Sequence, residues 1–177
     1  MGSTQQQLLD AVEIERILKR MACEILEVHK ETRNLALIGI HTRGVFLARR
    51  LRQHIKTFEG ADVPTGEIDI TLYRDDWTQL TAQPVVKTTD IPFSVEGKQI
   101  VLVDDVLFTG RTIRAAMDAL MDFGRPARIE LAVLIDRGHR ELPIQSNYTG
   151  HTVDTRRSQM VNVMLAESDG ADRVVLE

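Results

Sequence analysis

The stretch QIVLVDDVLFTGRT, residues 99–112, decides the fold of this chain. Its first half is a short apolar run that ends in two carboxylates, Asp104 and Asp105, which is typical of a buried strand. Its second half, TGRT at residues 109–112, opens a segment with helical spacing that is expected to end at Gly124. A buried strand that passes through a short loop into a helix is half of a βαβ unit.

Apolar runs at residues 35–40 and 128–135 and alternating apolar and polar residues at 66–73 predict three more strands. Helical spacing at residues 45–55 separates the first two of these strands. Because strands that alternate with helices form parallel βαβ units, we expect an open α/β sheet. Residues 136–165 break the alternation and predict a small appended subdomain, and residues 174–176 are expected to add an edge strand.

The N-terminal part of the chain predicts a helix that begins after Asp10 and ends near His29. Glu13 follows Asp10 at the spacing of a capping box, and apolar residues then recur at three- and four-residue intervals as far as Val28. Residues 1–8 are polar and are expected to be frayed.

Composition places the chain among ordinary globular proteins. It has 177 residues, with 22 Lys and Arg against 26 Asp and Glu, which gives a net charge of −4. One domain of this size buries enough surface to need no disulfide or structural metal, and the single Cys23 agrees with that. A dedicated nucleic-acid binder would usually be basic, so the negative net charge disfavours that class of protein. The chain shows no secretory signal pattern and no apolar stretch long enough to span a membrane, so we expect a cytoplasmic location.

The end of the predicted strand at Asp105 carries the chemistry. Ligands of an open parallel sheet bind at the carboxyl ends of its strands, where Asp104 and Asp105 can accept hydrogen bonds from vicinal sugar hydroxyls. The free N–H groups at the start of the next helix attract a phosphate. The sequence therefore predicts a sugar 5′-phosphate site. The alternative is that the acids only end a strand and residues 109–112 only cap a helix.

These residues also carry a resemblance. VLVDDVLFTGRT is similar to the phosphoribosyl pyrophosphate (PRPP) signature of type I phosphoribosyltransferases. Together with HTRG, GEIDITLYRDD, DALMDFGRP and DRGHRELP, it makes residues 10–165 resemble the PyrR family, bifunctional pyrimidine operon regulators with uracil phosphoribosyltransferase activity. The resemblance implies the type I phosphoribosyltransferase fold, an open and mainly parallel sheet flanked by helices with a small hood. Residues 1–177 would be one domain, with a core at 10–135, a hood at 136–165 plus N-terminal contributions, and a flexible loop at 74–92.

The resemblance also implies roles for individual residues. Thr42, Arg43 and Gly44 would form the pyrophosphate loop, in which a non-proline cis peptide is frequent. The expected catalytic residues are Arg43, Asp104 and Asp105. The expected PRPP and UMP site comprises Thr42, Arg43, Gly44, Asp104, Asp105, Val106, Leu107, Phe108, Thr109, Gly110, Arg111, Thr112, Arg137 and Val161. The flexible loop would begin with Arg74, Asp75 and Asp76.

The implied reaction joins uracil to PRPP and gives UMP and pyrophosphate. Arg43 and Mg²⁺ would stabilise the leaving pyrophosphate, and the Mg²⁺ would arrive through PRPP oxygens and water rather than through a protein ligand. Purine-specific relatives usually have an Asp where this chain has Phe108, which cannot exchange a proton, so a purine substrate is disfavoured. Orotate is disfavoured because no dedicated cation for its carboxylate is identified.

The second implied activity is binding of a pyrimidine operon leader mRNA by a basic face of a homodimer, through Lys19, Arg20, His139 and Arg140. The family usually has Thr, His, Arg and Lys where this chain has Lys19, Cys23, Gln145 and His151, so the expected RNA contact is weaker. Three hypotheses stay open: a uracil phosphoribosyltransferase, an RNA-binding regulator with little catalytic activity, and a transferase for another base. Trp77 is expected either to cap the closed site or to pack at a subunit contact.

Overall fold

The computed structural model describes residues 5–76 and 87–177, which form two β-sheets and four α-helices. The strands are β1 (Gln6–Leu9), β2 (Leu35–Ile40), β3 (Thr65–Ile68), β4 (Gln99–Leu107), β5 (Arg128–Asp136), β6 (Tyr148–Thr152), β7 (Val161–Met164) and β8 (Arg173–Leu176). The helices are α1 (Ala11–Val28), α2 (Arg43–Glu59), α3 (Arg111–Met121) and α4 (Ala166–Asp169). Trp77 and most of the expected flexible loop lie outside the described residues.

The larger sheet confirms the predicted open α/β fold. Its five strands run parallel in the order β3-β2-β4-β5-β6. Because side chains alternate between the faces of a strand, Leu35 and Leu37 pack with α1 and α2, whereas Ala36 and Ile38 pack with α3. The strand order reverses between β2 and β4, so the carboxyl ends of these two strands lie at the place where open sheets bind ligands.

Several strands and helices have bounds that differ from the expected ones. β3 ends at Ile68 rather than at residue 73, because the Asp69 carboxylate accepts hydrogen bonds from the backbone and hydroxyl of Thr71 and turns the chain into a 3₁₀ turn. β4 continues to Leu107, so the two acids lie within the strand and not at its last position. α2 begins at Arg43, before the expected range of 45–55, and α3 ends at Met121, before Gly124.

A second, three-stranded antiparallel sheet has the order β1-β8-β7. Its first strand corrects the expectation of a frayed N-terminus, since β1 pairs with β8 near the end of the chain. The expected edge strand at residues 174–176 is part of β8. The hood range of 136–165 also differs from the structure, because β6 lies within that range and pairs with β5 in the larger sheet. The sequence YTGHT of β6 has no alternating apolar pattern that would have predicted a strand.

Helix α1 follows its sequence pattern closely. The Asp10 side chain accepts from the backbone of Glu13 at 2.8 Å, and the Glu13 side chain accepts from the backbone of Asp10 at 2.8 Å, so the predicted capping box is present. The helix ends at Val28, with His29 as its C-cap. Val28 is 52% exposed, so the apolar face ends one turn earlier than expected. No helix in the described part of the chain is long and apolar enough to cross a membrane.

Candidate functional site

Two adjoining cavities lie at the carboxyl ends of β2 and β4. One has a volume of about 290 Å³ and lies between β4 and the start of α2. Its lining residues are His41, Thr42, Arg43, Asp69, Ile70, Thr71, Arg74, Asp104, Asp105, Val106 and Thr112. The other has a volume of about 670 Å³ and lies beside the start of α3. Its lining residues are Arg74, Asp75, Asp76, Phe108, Thr109, Arg111 and Thr112. Because Arg74 and Thr112 line both, the two cavities form one elongated site.

The paired carboxylates of β4 lie in the smaller cavity but differ in environment. Asp104 is 6% exposed, and its Oδ1 accepts from the backbone N–H of Asp105 at 2.9 Å. Burial, and then the neighbouring Asp105 carboxylate, raise the pKa of Asp104 well above its ordinary value. Asp105 is half-buried, and its Oδ1 accepts from the N–H of Val106 at 2.8 Å. The Asp104 carboxyl is thus buried away from water, whereas the Asp105 carboxyl is partly exposed at the cavity wall.

The expected phosphate loop turns from β4 into α3. Gly110 has a φ of 93°, which favours glycine, and it is the N-cap of α3 without a side-chain cap hydrogen bond. The Thr109 carbonyl accepts from the backbone of Glu141 at 2.9 Å and so fixes the loop from behind. Leu107 is 1% exposed and belongs to the core, so only its backbone can face a ligand. The Arg111 N–H lies 3.4 Å from the Thr109 hydroxyl, whereas those of Thr112 and Ile113 have no hydrogen-bond partner among the described residues and are available to a phosphate.

Thr42, Arg43 and Gly44 form the start of a helix rather than a loop. Thr42 is the N-cap of α2, and the peptide bond between His41 and Thr42 is cis, as the resemblance implied. A Cβ on Gly44 would lie 2.3 Å from the Val103 carbonyl oxygen, so the first turn of α2 packs directly on the backbone of β4. This contact places the N-terminus of α2 beside Asp104.

Arg43 lines the smaller cavity, and the Asp169 carboxylate binds one edge of its guanidinium. Its Nε donates to Oδ2 of Asp169 at 3.2 Å, and its Nη2 donates to Oδ1 at 2.8 Å. Asp169 is the last residue of α4, in the connection between β7 and β8. The Lys87 ammonium contacts the Thr42 hydroxyl and brings a second cation to this end of the site.

Phe108 and Arg137 form an aromatic and cationic wall beside the phosphate loop. The Arg137 guanidinium carbon lies 4.0 Å from the centroid of the Phe108 ring. Arg137 is 6% exposed, burial lowers its pKa, and its Nη2 donates to the Gln159 carbonyl at 2.7 Å. Its buried Nε has no hydrogen-bond partner among the described residues. Neither Arg137 nor Val161 is among the lining residues of the two cavities. Arg137 lines a separate cavity of about 400 Å³, and Val161 begins β7 and packs against the core on the α1 side.

Ion pairs of Arg74 and Arg111 lie at the start of the expected flexible loop. Arg74 binds Asp76 through Nε at 2.8 Å and Nη2 at 2.7 Å, and this contact raises the pKa of Arg74 and lowers that of Asp76. Arg111 binds Asp75 at 2.5 Å and Glu141 at 2.8 Å. The phosphate loop is thus tied both to the loop that begins at residue 74 and to the segment that follows β5.

Several residues of the site were not predicted from the sequence, among them Asp69, Thr71, Lys87 and Asp169. Asp69 and Thr71 follow β3 and lie within the range for which the sequence predicts a strand. Lys87 contacts Thr42 across 45 residues of sequence, and Asp169 contacts Arg43 across 126. A polar residue directly after a parallel strand is a signal that could have identified Asp69. No local pattern marks Lys87 or Asp169.

The residues expected to contact RNA lie along α1, β6 and the segment after β5. Lys19 is exposed and pairs with Glu15 at 3.5 Å. Arg20 donates to the carbonyls of Thr149 and Gly150, which anchors α1 on β6. Cys23 and His151 are exposed on the same two elements.

The other two residues of that set are bound internally. His139 contacts the Thr155 carbonyl at 2.7 Å. Four N–H groups of Arg140 donate to Ile144, Phe108, Gly138 and Asp136. Since a guanidinium has five such donors, Arg140 supports the phosphate loop and offers little to an external phosphate.

Comparison with known proteins gives consistent results. Residues 4–164 match the family described as "Phosphoribosyl transferase domain". The chain is 58% identical to the "Bifunctional protein PyrR" of Thermus thermophilus over 96% of its own length and 94% of that protein. It is 58% identical to the protein of the same name from Pelotomaculum thermopropionicum over 99% of its length and 97% of that protein.

Among solved structures, the hypoxanthine phosphoribosyltransferase of Trypanosoma cruzi superimposes with a TM-score of 0.74 at 19% identity, covering 97% of this chain and 95% of that one. A hypoxanthine-guanine phosphoribosyltransferase from Bacillus anthracis gives a TM-score of 0.73 at 20% identity and covers 96% of both chains. At these identities the likeness shows a shared fold.

Proposed function

Because this chain belongs to the phosphoribosyl transferase domain family, and within it to the PyrR family of bifunctional proteins, we propose that it transfers a phosphoribosyl group from PRPP to uracil. The observation that carries the proposal is that the N-termini of α2 and α3 and the carboxylates of Asp104 and Asp105 meet in the same two adjoining cavities. Asp104 and Asp105 accept hydrogen bonds from the ribose hydroxyls. The N-terminus of α3 binds the 5′-phosphate, and the N-terminus of α2 and Arg43 bind the pyrophosphate.

The reaction needs charge stabilisation more than covalent chemistry. As the bond to pyrophosphate breaks, positive charge grows on the ribose and negative charge on the leaving group. The Arg43 guanidinium and the N-terminus of α2 face the negative charge, and the Asp105 carboxylate lies near the positive charge. The start of the loop at Arg74 covers the same cavity, which places it to exclude water.

The oxygen donors of the cavity fit Mg²⁺, which prefers carboxylates and keeps several of its waters. Asp104 and Asp105 would hold the ion through water, and the PRPP oxygens would provide its other ligands. When bound, Mg²⁺ would neutralise charge on the pyrophosphate. Within the described ranges, no cluster of three or more His, Cys, Asp or Glu side chains could hold a metal by itself.

The Phe108 and Arg137 wall supports uracil as the base. A Phe at this position cannot accept a purine ring proton, and the Arg137 guanidinium packed on the ring places a positive charge behind it. The plane of the uracil ring can also stack on the aromatic side chain.

Replacing Arg43 by Ala tests the leaving-group assignment. We expect turnover of PRPP and uracil to fall by about 10²-fold, because a cation that faces developing charge is lost. The affinity for UMP, which carries no pyrophosphate, should stay within about twofold. Initial rates of pyrophosphate release and calorimetric titration of UMP measure the two quantities. Arg52→Ala, which removes an exposed pair with Asp62, should change neither, and the opposite ranking for Arg43→Ala would refute the assignment.

The name of the relatives supports a second activity, and we propose that this chain also binds a leader mRNA of a pyrimidine operon under control of the bound nucleotide. Lys19 and Arg20 on α1, next to His151 on β6, form the surface that faces the RNA. Arg140 donates to the Phe108 carbonyl and the His139 ring packs edge-on against Phe108, so both residues support the phosphate loop. Assembly as a homodimer and a cytoplasmic location stay predictions.

Replacing Lys19 by Ala should weaken RNA binding in a salt-dependent manner. A lysine that contacts phosphate releases about one counterion, so the slope of log affinity against log salt should decrease by about 1. Fluorescence anisotropy with a labelled RNA hairpin at several salt concentrations measures the slope. Lys56→Ala is a matched control, because Lys56 has the same exposed fraction of 54% but lies on α2. An unchanged slope in Lys19→Ala would remove Lys19 from the RNA surface.

A further inference from the structure

We propose that Asp169 is a positioning residue that holds the Arg43 guanidinium at the pyrophosphate end of the cavity. The proposal rests on the proposed function in that it assigns pyrophosphate to the end of the site where Arg43 lies. Asp169 comes from the small antiparallel sheet, in the connection between β7 and β8, and so belongs to a different part of the fold from α2 and β4.

The contact between the two side chains fixes both. Asp169 binds Nε and Nη2 of Arg43 at 3.2 and 2.8 Å, which is the bidentate side-on arrangement of a strong pair. Its Oδ2 also accepts from the backbone of Leu165 at 2.9 Å and from the hydroxyl of Ser168 at 2.7 Å. The carboxylate is therefore immobilised by its own turn before it meets Arg43.

The segment that carries Asp169 is anchored on α2 at a second point. Arg50 lies seven residues after Arg43, two helical turns along the same face of α2. It binds Glu167 at 2.9 and 2.6 Å and Asp172 at 2.7 and 2.9 Å. Two arginines of α2 thus hold the connection between β7 and β8, and only the first of them lines the cavity.

The geometry leaves one edge of Arg43 for a ligand. Asp169 occupies the edge formed by Nε and Nη2, and Nη1 has no protein partner in residues 5–76 and 87–177. The hydrogen bond from Arg43 is the main cause of a pKa of Asp169 well below its ordinary range, so the Asp169 carboxylate stays ionised at neutral pH. An arginine held by one edge has lost most of its rotamer freedom, so it can bind a departing phosphate with little further ordering.

Asp169→Asn tests this role against a matched control. We expect kcat for PRPP and uracil to fall by about 10-fold, with KM for uracil within about twofold, because a misplaced Arg43 affects the departing group and not the base. Affinity for inorganic pyrophosphate with Mg²⁺ should weaken by a similar factor. Asp172→Asn removes one of the two carboxylates at Arg50, in the same segment, and should leave both quantities unchanged because Glu167 still binds Arg50 at 2.9 and 2.6 Å. Asp169→Glu keeps the charge and should recover part of the lost kcat.

A double variant separates positioning from a merely structural role. If Asp169 acts through Arg43, Asp169→Asn should have no further effect on kcat in an Arg43→Ala background. Independent losses in the double variant, equal losses in Asp172→Asn, or a gain in pyrophosphate affinity in Asp169→Asn would each overturn the proposal. Pyrophosphate affinity tests the role of Asp169 even if no base is turned over. Absence of turnover would count against the transferase assignment, whereas unchanged pyrophosphate affinity in Asp169→Asn would count against the Asp169 assignment.

Discussion

Replacing Gly44 by Ala should abolish most of the transferase activity and also destabilise the fold. A Cβ at this position would lie 2.3 Å from the Val103 carbonyl oxygen and 3.2 Å from the Cα of Asp104. Both neighbours are backbone atoms of the central strand and cannot rotate away, so the start of α2 has to move. Overpacking of this kind costs about 1–3 kcal/mol of unfolding free energy. A displacement of the helix near the reacting groups should cost about 10²-fold or more in kcat.

The measurement is the rate of pyrophosphate release by protein that is verified as folded by circular dichroism, together with the urea midpoint. Gly60→Ala is the control at the other end of α2, where φ is 69° and no atom lies within 4 Å of the added Cβ. That variant should lose about 1 kcal/mol from backbone strain and keep its activity. Activity of Gly44→Ala within twofold of the natural chain would show that the close contact between α2 and β4 is not needed.

Replacing Asp104 by Asn should make the protein more stable at neutral pH and much less active. Burial raises the pKa of Asp104, so the folded state favours the protonated carboxyl. The stabilising contribution of this group is present below its unfolded pKa of about 3.9 and is lost as the pH rises towards the folded pKa. An amide has no charge to desolvate, so the stability advantage of Asp104→Asn over the natural chain should grow with pH from 4 upwards.

Activity should move in the other direction. The hydroxyls of a bound ribose favour an ionised acceptor, and losing a group that contacts the transition state costs about 10²-fold or more. Thermal unfolding from pH 4 to 8 and initial rates test the two effects. Asp118→Asn changes an exposed carboxylate on α3 that pairs with Arg114, and its stability should stay within about 0.5 kcal/mol. A stability difference that does not depend on pH would contradict the account of Asp104.

The features predicted best from the sequence are those with a strong local cause. The capping box at Asp10, the apolar run of β2 and the turn at Gly110 each depend on residues within a few positions of one another, and each is present. The open α/β sheet was predicted from the alternation of strands and helices, but its strand order was not. The carboxylates and the phosphate loop meet because both lie around the end of the same strand.

The features that escaped prediction depend on distant partners. β1 is a strand because it pairs with β8, and β6 is a strand because it pairs with β5. Neither β1 nor β6 has an alternating apolar pattern. Arg43 and Gly44 belong to a helix because α2 packs tightly on β4. Asp169 reaches the site only after the small sheet has formed. Such contacts are determined by tertiary packing, which a local pattern does not contain.

The central claim, transfer of a phosphoribosyl group to uracil, is tested most directly by measuring pyrophosphate release from PRPP and Mg²⁺ with four bases in parallel. Uracil, orotate, hypoxanthine and adenine differ in the ring proton that is lost in the reaction, and orotate also carries a carboxylate. The Phe108 and Arg137 wall distinguishes the bases by these two features. The account predicts turnover with uracil and none above background with the other three. Turnover with hypoxanthine or adenine at a similar rate, or no turnover with any base alongside tight UMP binding, would contradict it.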